Sequence, residues 1–369
     1  MSFLHELEKY ENFDFDEYFN SVTPEDVKKS IVKEKPGAYD MLNLLSPAAE
    51  DFIEEMAKRS HSLTMQYFGG TISLYIPLYI SNYCSNGCIY CGFSAGNKIR
   101  RKMLSLEEIE KEALSIKKTG IKHLLVLTGE AEEKAGFDYV KPAVELLSKH
   151  FPSISVEIFP MSTEQYAELK KCGVDGLTVY QEVYDRTIYA QVHPVGRKSD
   201  YNWRLECPER GAKAGFRLVN IGALYGLGDV RKEAFFNAMH AKYLDDKYPD
   251  TEIAVSFPRI NHSEGNFKPQ HRLSDRSFVQ FLAAFRIFLP RVGLNVSTRE
   301  KADFRDNLLP LGITRMSAGS ITSVGGYAES EEGDVPQFDI SDNRSVTETI
   351  SMIKQKGYQP VLKDWEMIK

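Results

Sequence analysis

What this chain has little of already removes several classes of protein. No apolar run approaches the ~20 residues that span a bilayer, and the opening Met1-Ser2-Phe3-Leu4-His5-Glu6 lacks a signal-peptide pattern. No membrane partner is expected. Basic charge is not in excess: 46 Lys and Arg face 52 Asp and Glu, for a net charge of −6, which argues against a nucleic-acid partner. Cysteine is scarce. There are five, an odd number with three bunched together, and that is no disulfide framework. Low-complexity linkers are missing too, so the 369 residues read as one large unit. The remainder, 42% apolar and 27% charged, is ordinary globular composition with enough material for a sizeable core. A cytoplasmic protein is expected.

Residues 1–68 carry helix signals and no strand signals. Thr23-Pro24-Glu25-Asp26 and Ser46-Pro47-Ala48-Ala49-Glu50 each set an N-cap before a Pro in the first turn. Phe52, Ile53, Met56 and Leu63 then form an apolar stripe. From Ile72 a different unit repeats: an amphipathic helix ends in Gly and a short β-branched strand starts almost at once. Gly120 precedes His123–Leu127, Gly173 precedes Leu177–Tyr180, Gly215 precedes Leu218–Ile221, Gly293 precedes Leu294–Val296 and Gly312 precedes Ile313–Ser317. Strands at Ile154–Phe159 and Ile253–Phe257 complete the series, and Ser105-x-x-Glu108 is a capping box for the first helix of the repeat. About eight βα units predict an α/β fold, a (β/α)8 TIM-type barrel over residues 69–357. A helical extension (1–68) precedes it, and a short tail (358–369) docks on it. An open doubly wound sheet is the structural rival.

The chemistry collects in Cys84-Ser85-Asn86-Gly87-Cys88-Ile89-Tyr90-Cys91, directly after the strand Ile72–Ile80. Three thiolates this close can surround a metal centre, and sulfur favours zinc or an iron–sulfur cluster over hard cations. Three ligands leave a position open for something to bind. A zinc site completed by a remote His remains an alternative on spacing alone. In a barrel, the active site lies where strands end at their C-terminal side. Those ends carry Thr128-Gly129-Glu130, Tyr180-Gln181-Glu182, the Gly222–Gly228 run, Pro258-Arg259, Thr298-Arg299-Glu300 and Met316-Ser317.

The CxxxCxxC spacing with Tyr90 before its last Cys resembles the signature of radical S-adenosylmethionine (SAM) enzymes. The resemblance implies a four-iron, four-sulfur (4Fe-4S) cluster on Cys84, Cys88 and Cys91, with SAM on the fourth iron. Gly129-Glu130 resembles the part of a "GGE" motif that takes the SAM amino group, with Thr128 in place of the first Gly. Glu182 resembles an acid on the SAM ribose, Arg204 the arginine that pairs with the SAM carboxylate, and the run through Gly226 a backbone approach to adenine.

Blocks from Leu44 to Trp365, including Cys91-Gly92-Phe93-Ser94, Val179-Tyr180-Gln181-Glu182, Ser297-Thr298-Arg299-Glu300 and Lys363-Asp364-Trp365, are similar to the aromatic-amino-acid lyase branch, nearest its tyrosine lyases of thiamine thiazole biosynthesis. That likeness implies Cα–Cβ cleavage of L-tyrosine to p-cresol and 2-iminoacetate. It also implies a thiazole synthase subunit as acceptor and reduced flavodoxin or ferredoxin as electron donor. Arg299 and Ser317 resemble the carboxylate-binding pair of the tryptophan-cleaving relative, and Tyr79 is expected near the substrate amine. Arg259 is a second anchor candidate, and Arg299 pairing with Glu300 or Asp303 is the plain alternative. His193, His262 and His271 are expected to be solvated, and Cys172 and Cys207 to be packing thiols. The hydrogenase-maturation tyrosine lyase carries further C-terminal cysteines, whereas none follows Cys207 here. A tryptophan lyase, a deazaflavin-type synthase and a non-enzymatic iron–sulfur carrier are the other readings.

Overall fold

In the computed structural model, which describes residues 2–264, 267–329 and 333–366, eight parallel strands close into a ring. They are β1 (Thr71–Ser81), β2 (His123–Thr128), β3 (Ser153–Glu157), β4 (Gly176–Glu182), β5 (Leu218–Ala223), β6 (Glu252–Ser256), β7 (Gly293–Val296) and β8 (Arg315–Ser317). Neighbours follow chain order, and β1 pairs with both β2 and β8, which closes the barrel. An open sheet would leave β1 with a free edge, so the rival topology is set aside. The strands read as nearly continuous buried runs because helices cover the outside while side chains fill the inside.

Local signals explain most boundaries. Ser105 caps the helix Leu106–Lys117 through the expected reciprocal pair with Glu108. Gly120, Gly173, Gly215 and Gly312 all have positive φ, as the helix-end reading requires. Gly293 is different. The helix Asp275–Phe288 already stops at Leu289, and Gly293 opens β7 itself, where its missing Cβ lets Ala254 of β6 pack close.

The first 68 residues form α1 (Phe3–Glu8), α2 (Phe15–Ser21), α3 (Pro24–Val32), α4 (Ala38–Leu45) and α5 (Ile53–Phe68). These pack on the barrel's outer helices, α4 and α5 against Asp275–Phe288. Buried Gln280 donates to the Leu44 and Ser46 carbonyls, capping the end of α4. At the other end of the chain, β9 (Gln359–Val361) pairs in parallel with Thr71–Ser73 of β1. The tail expected over 358–369 therefore docks as a strand, and its residues 367–369 lie outside the described residues.

Two irregularities aim the site. The register of β1 on β2 shifts between Tyr79 and Ser81, and that of β4 on β5 between Tyr180 and Glu182. Such bulges bend a strand and re-aim its last side chains. Glu182 is the one described non-glycine residue with positive φ, 72°, a conformation that costs of order 1–3 kcal/mol unless its surroundings fix it. Its carbonyl accepts from Leu224 N at 2.8 Å, which holds it there.

Candidate active site

The cysteine loop leaves β1 and is tied to the turn after β2. Ser85 N and Oγ both donate to the Glu130 carbonyl at 2.9 Å, and Asn86 Nδ2 donates to Glu130 Oε2 at 2.8 Å. Gly129 lies so close beneath that a Cβ would strike the Tyr83 carbonyl at 2.3 Å and approach Cys84 Cβ to 3.0 Å. All three thiols are free. Burial holds them above their ordinary pKa, Cys88 at about 12 and Cys91 at about 11, against the lowering effect of the Lys198 ammonium. A cationic centre supplies the charge that turns such thiols into thiolate ligands.

Beside the loop sits a buried group of four charges. Arg204, on the short helix Tyr201–Leu205, donates from Nε to the Tyr180 carbonyl at 2.7 Å and from Nη1 to Glu130 Oε1 at 2.8 Å. Its Nη2 is 3.6 Å from Glu182 Oε1. Lys198 Nζ donates to the same Glu182 oxygen at 2.7 Å. Burial alone would raise the Glu130 pKa, but the Arg204 and Lys198 charges outweigh it and hold the carboxyl below its usual range. Both cations are likewise pushed up, the two carboxylates overcoming their desolvation. Glu130, Glu182 and Arg204 are thus brought together. Lys198 was not foreseen, because it lies in a loop sixteen residues past Glu182 that only the fold returns.

Half-buried Tyr90 packs against His193, its Oη 2.7 Å from Nε2, while His193 Nδ1 meets the Tyr189 carbonyl at 3.0 Å. His193 is therefore no solvated loop histidine: it is 1% exposed, and burial drives its pKa down to about 2. Gly226 has φ 126° and lies under Ile260, whose Cδ1 a Cβ would approach to 2.9 Å. It faces a neighbouring open cleft that also reaches Arg299.

Inside the ring, at the strands' C-terminal ends, a cavity is lined by Tyr79, Glu157, Tyr180, Arg299, Ser317 and Phe338, among others. Tyr79, Arg299 and Ser317 share this space, as the sequence reading expected. The Arg299 guanidinium lies 3.2 Å over the Phe338 ring, and among the described residues no carboxylate forms an ion pair with it. Glu300 instead binds Arg259, which also holds Asp275 at 2.6 Å. Arg259 is thus occupied by structure and is not a free second anchor. Ser317 Oγ accepts from Thr298 N at 3.0 Å, and its carbonyl is held by fully buried Arg305, itself paired with Asp342.

Two further residues escaped the sequence reading. Gln337 spans the mouth: Tyr79 Oη donates to its Oε1 at 2.8 Å, and its Nε2 is 3.9 Å from Cys91 Sγ. Its carbonyl accepts from Gly92 N, where a Cβ would come within 2.7 Å of it. Glu157 ends β3 and turns into the cavity, with its carboxyl raised to about 7 by burial and then by Glu182. Its place as the last β3 residue was the available signal. Outside this region, Cys207 is buried against Tyr166, and Cys172 meets Glu145 near the surface.

A three-cysteine loop beyond the first strand of a closed parallel barrel, locked to an acid after the second strand that a buried arginine holds in turn, is the arrangement of radical SAM enzymes. The Radical SAM superfamily matches residues 78–237, and the Biotin and Thiamin Synthesis associated domain matches residues 256–359. The chain is similar to the 2-iminoacetate synthase of Salmonella typhimurium, 42% identical over 94% of this chain and 92% of that one. It is also similar to the enzyme of the same name from Escherichia coli, 40% identical over 97% and 96%. Among solved structures, the FeFe-hydrogenase maturase HydG from Carboxydothermus hydrogenoformans superposes with a TM-score of 0.84 at 30% identity, covering 98% of this chain and 83% of that one. The chain belongs to the radical SAM superfamily, in the family of the 2-iminoacetate synthases. Enzymes of that superfamily work with an iron–sulfur cluster and SAM.

No three His, Cys, Asp or Glu side chains among the described residues converge on a single-ion site. Three free thiols on one loop, Cys84, Cys88 and Cys91, are a donor set that suits an iron–sulfur cluster. Among the described residues no helix is long and apolar enough to cross a membrane.

Proposed function

We propose that this protein is a radical SAM lyase that cleaves the Cα–Cβ bond of L-tyrosine, releasing p-cresol and 2-iminoacetate (dehydroglycine) for thiamine thiazole synthesis. The observation that carries the reading is the near full-length likeness to two 2-iminoacetate synthases. It is joined to a cavity in which a serine and an arginine without an ion pair among the described residues face the interior of the barrel. On this reading residues 1–68 are a supporting extension, 69–357 the catalytic barrel and 358–369 a docked tail.

Cys84, Cys88 and Cys91 would hold a 4Fe-4S cluster, with Tyr90 packed behind the last of them. Gly129 and Glu130 would receive the SAM amino group, Glu182 the ribose hydroxyls and Arg204 the carboxylate, while Gly226 would let backbone approach the adenine. Arg204 has Nη1 on Glu130 and Nε on the Tyr180 carbonyl, so Nη2, 3.6 Å from Glu182, is the nitrogen that would donate to an incoming carboxylate. When bound, cluster and SAM supply the radical chemistry that opens the Cα–Cβ bond.

The remaining work belongs to the chain's own residues. Arg299 and Ser317 take the substrate carboxylate, and Tyr79 stands beside the amine. The segment carrying Gln337 and Phe338 lies across the mouth and restricts water, which would otherwise hydrolyse an imine product. A thiazole synthase subunit is the proposed acceptor of that product, and reduced flavodoxin or ferredoxin the proposed electron donor. Anaerobic incubation of the reconstituted protein with SAM, dithionite and tyrosine is expected to give p-cresol and 5′-deoxyadenosine. SAM cleavage coupled to tryptophan but not to tyrosine would overturn the reading, and zinc without iron after reconstitution would remove the enzyme class itself.

A further inference from the structure

Glu157 is the one acid in the barrel cavity that the chemistry above does not use. Among the described residues nothing hydrogen-bonds its carboxyl, although it faces a cavity whose walls carry Leu125, Leu127 and Phe257 as well as polar Tyr180, Ser256 and Asn295. Leaving a carboxylate unpaired in such surroundings is costly, so its retention asks for a partner that arrives with the substrate. Its place in the ring says which part of the substrate that is. Glu157 ends β3 and Arg299 follows β7, and in an eight-stranded ring those strands lie on opposite walls. An amino acid anchored by its carboxylate at Arg299 keeps its amine beside that anchor, one bond from the α-carbon. Only the far end of its side chain crosses to the β3 wall.

We propose that Glu157 accepts a hydrogen bond from the phenol hydroxyl of the substrate and thereby selects a para-hydroxylated ring; the inference rests on the tyrosine lyase reading. A phenol donating to a carboxylate is a charge-assisted bond, and apolar side chains of the cavity wall, Leu127 among them, take the ring faces. Phenylalanine fits the same space but leaves the acid unpaired, and sites built to bond a substrate hydroxyl reject the analogue lacking it.

The test uses the reconstituted holoenzyme with SAM and no reductant, so that amino acids bind without turnover. Dissociation constants for L-tyrosine and L-phenylalanine are measured by calorimetry for the wild type, Glu157→Gln and Glu157→Leu. The wild type is expected to prefer tyrosine by about 100-fold, the Gln variant by about 10-fold, and the Leu variant by less than about threefold. Equal weakening of both ligands would place Glu157 on the amine instead, and unchanged affinity for both would leave it no role in recognition; either overturns the inference. The near-isosteric Gln variant keeps the test valid where Leu fails to fold. Failure of the lyase reading itself shows earlier and separately, as a wild-type holoenzyme that binds tyrosine no better than tryptophan.

Discussion

Arg204 holds two acids together, so replacing it with Met should be felt in the fold before any chemistry is tried. The arginine and its partners Glu130 and Glu182 are all largely buried, so solvent screens them little. In Arg204→Met, Glu130 keeps only Asn86 and Glu182 keeps only Lys198, leaving one ammonium for two buried carboxylates. Breaking a buried ion pair in this way costs about 3–5 kcal/mol. For a chain of 369 residues that should lower Tm by about 4–6 °C. Scanning calorimetry of the anaerobically purified protein without SAM reads this directly. A second substitution, Glu130→Gln in the same chain, removes the stranded charge and should restore more than half of the loss, which makes a double-mutant cycle. A single variant melting within about 2 °C of the wild type would refute the claim that these four charges form one interdependent group.

Two further outcomes are expected. Arg299→Ala should raise KM for tyrosine about 100-fold, corresponding to roughly 3 kcal/mol for a carboxylate contact in a closed cavity, while KM for SAM stays near its wild-type value; a parallel rise in both would argue against a substrate anchor. Glu233 accepts from the backbone N–H groups of Tyr184 and Asp185, yet burial raises its pKa from 4.5 to about 8. The folded chain therefore keeps a proton that the unfolded chain releases. That contribution is complete below pH 4.5 and is lost as pH rises toward about 8. In urea titrations the wild type should lose stability across this window more steeply than Glu233→Gln, and superimposable pH profiles would count against it.

Much of the site was legible because barrels place chemistry at strand ends. Glu130, Glu182, Arg299 and Ser317 each sit at or within three residues of such an end, and a strand can be read locally from its β-branched run and the glycine before it. Lys198, His193 and Gln337 were not legible in the same way. They lie on long returns after β4 and β8, where the sequence gives no periodicity and only the fold decides what meets what. His193 shows the difference well. A loop histidine is ordinarily wet, but the return segment is pinned to the cysteine loop by Gly87 N donating to Val195 O and Ile89 N to Val192 O, and this buries the ring under Tyr90. Arg259 failed in the opposite direction: it ends a strand as a substrate anchor should, yet Glu300 and Asp275 were already in reach.

The pairing of β9 with the first residues of β1 has a consequence for how the protein is made. The strand that delivers the cysteines emerges early from the ribosome, but it lacks its β8 neighbour until residues 315–317 have been synthesised and its β9 neighbour until Gln359–Val361 follow. Contacts separated by nearly the whole chain form slowly. The ring that holds the cysteine loop in place therefore cannot close before β8 has been made, and the first residues of β1 gain their second neighbour later still.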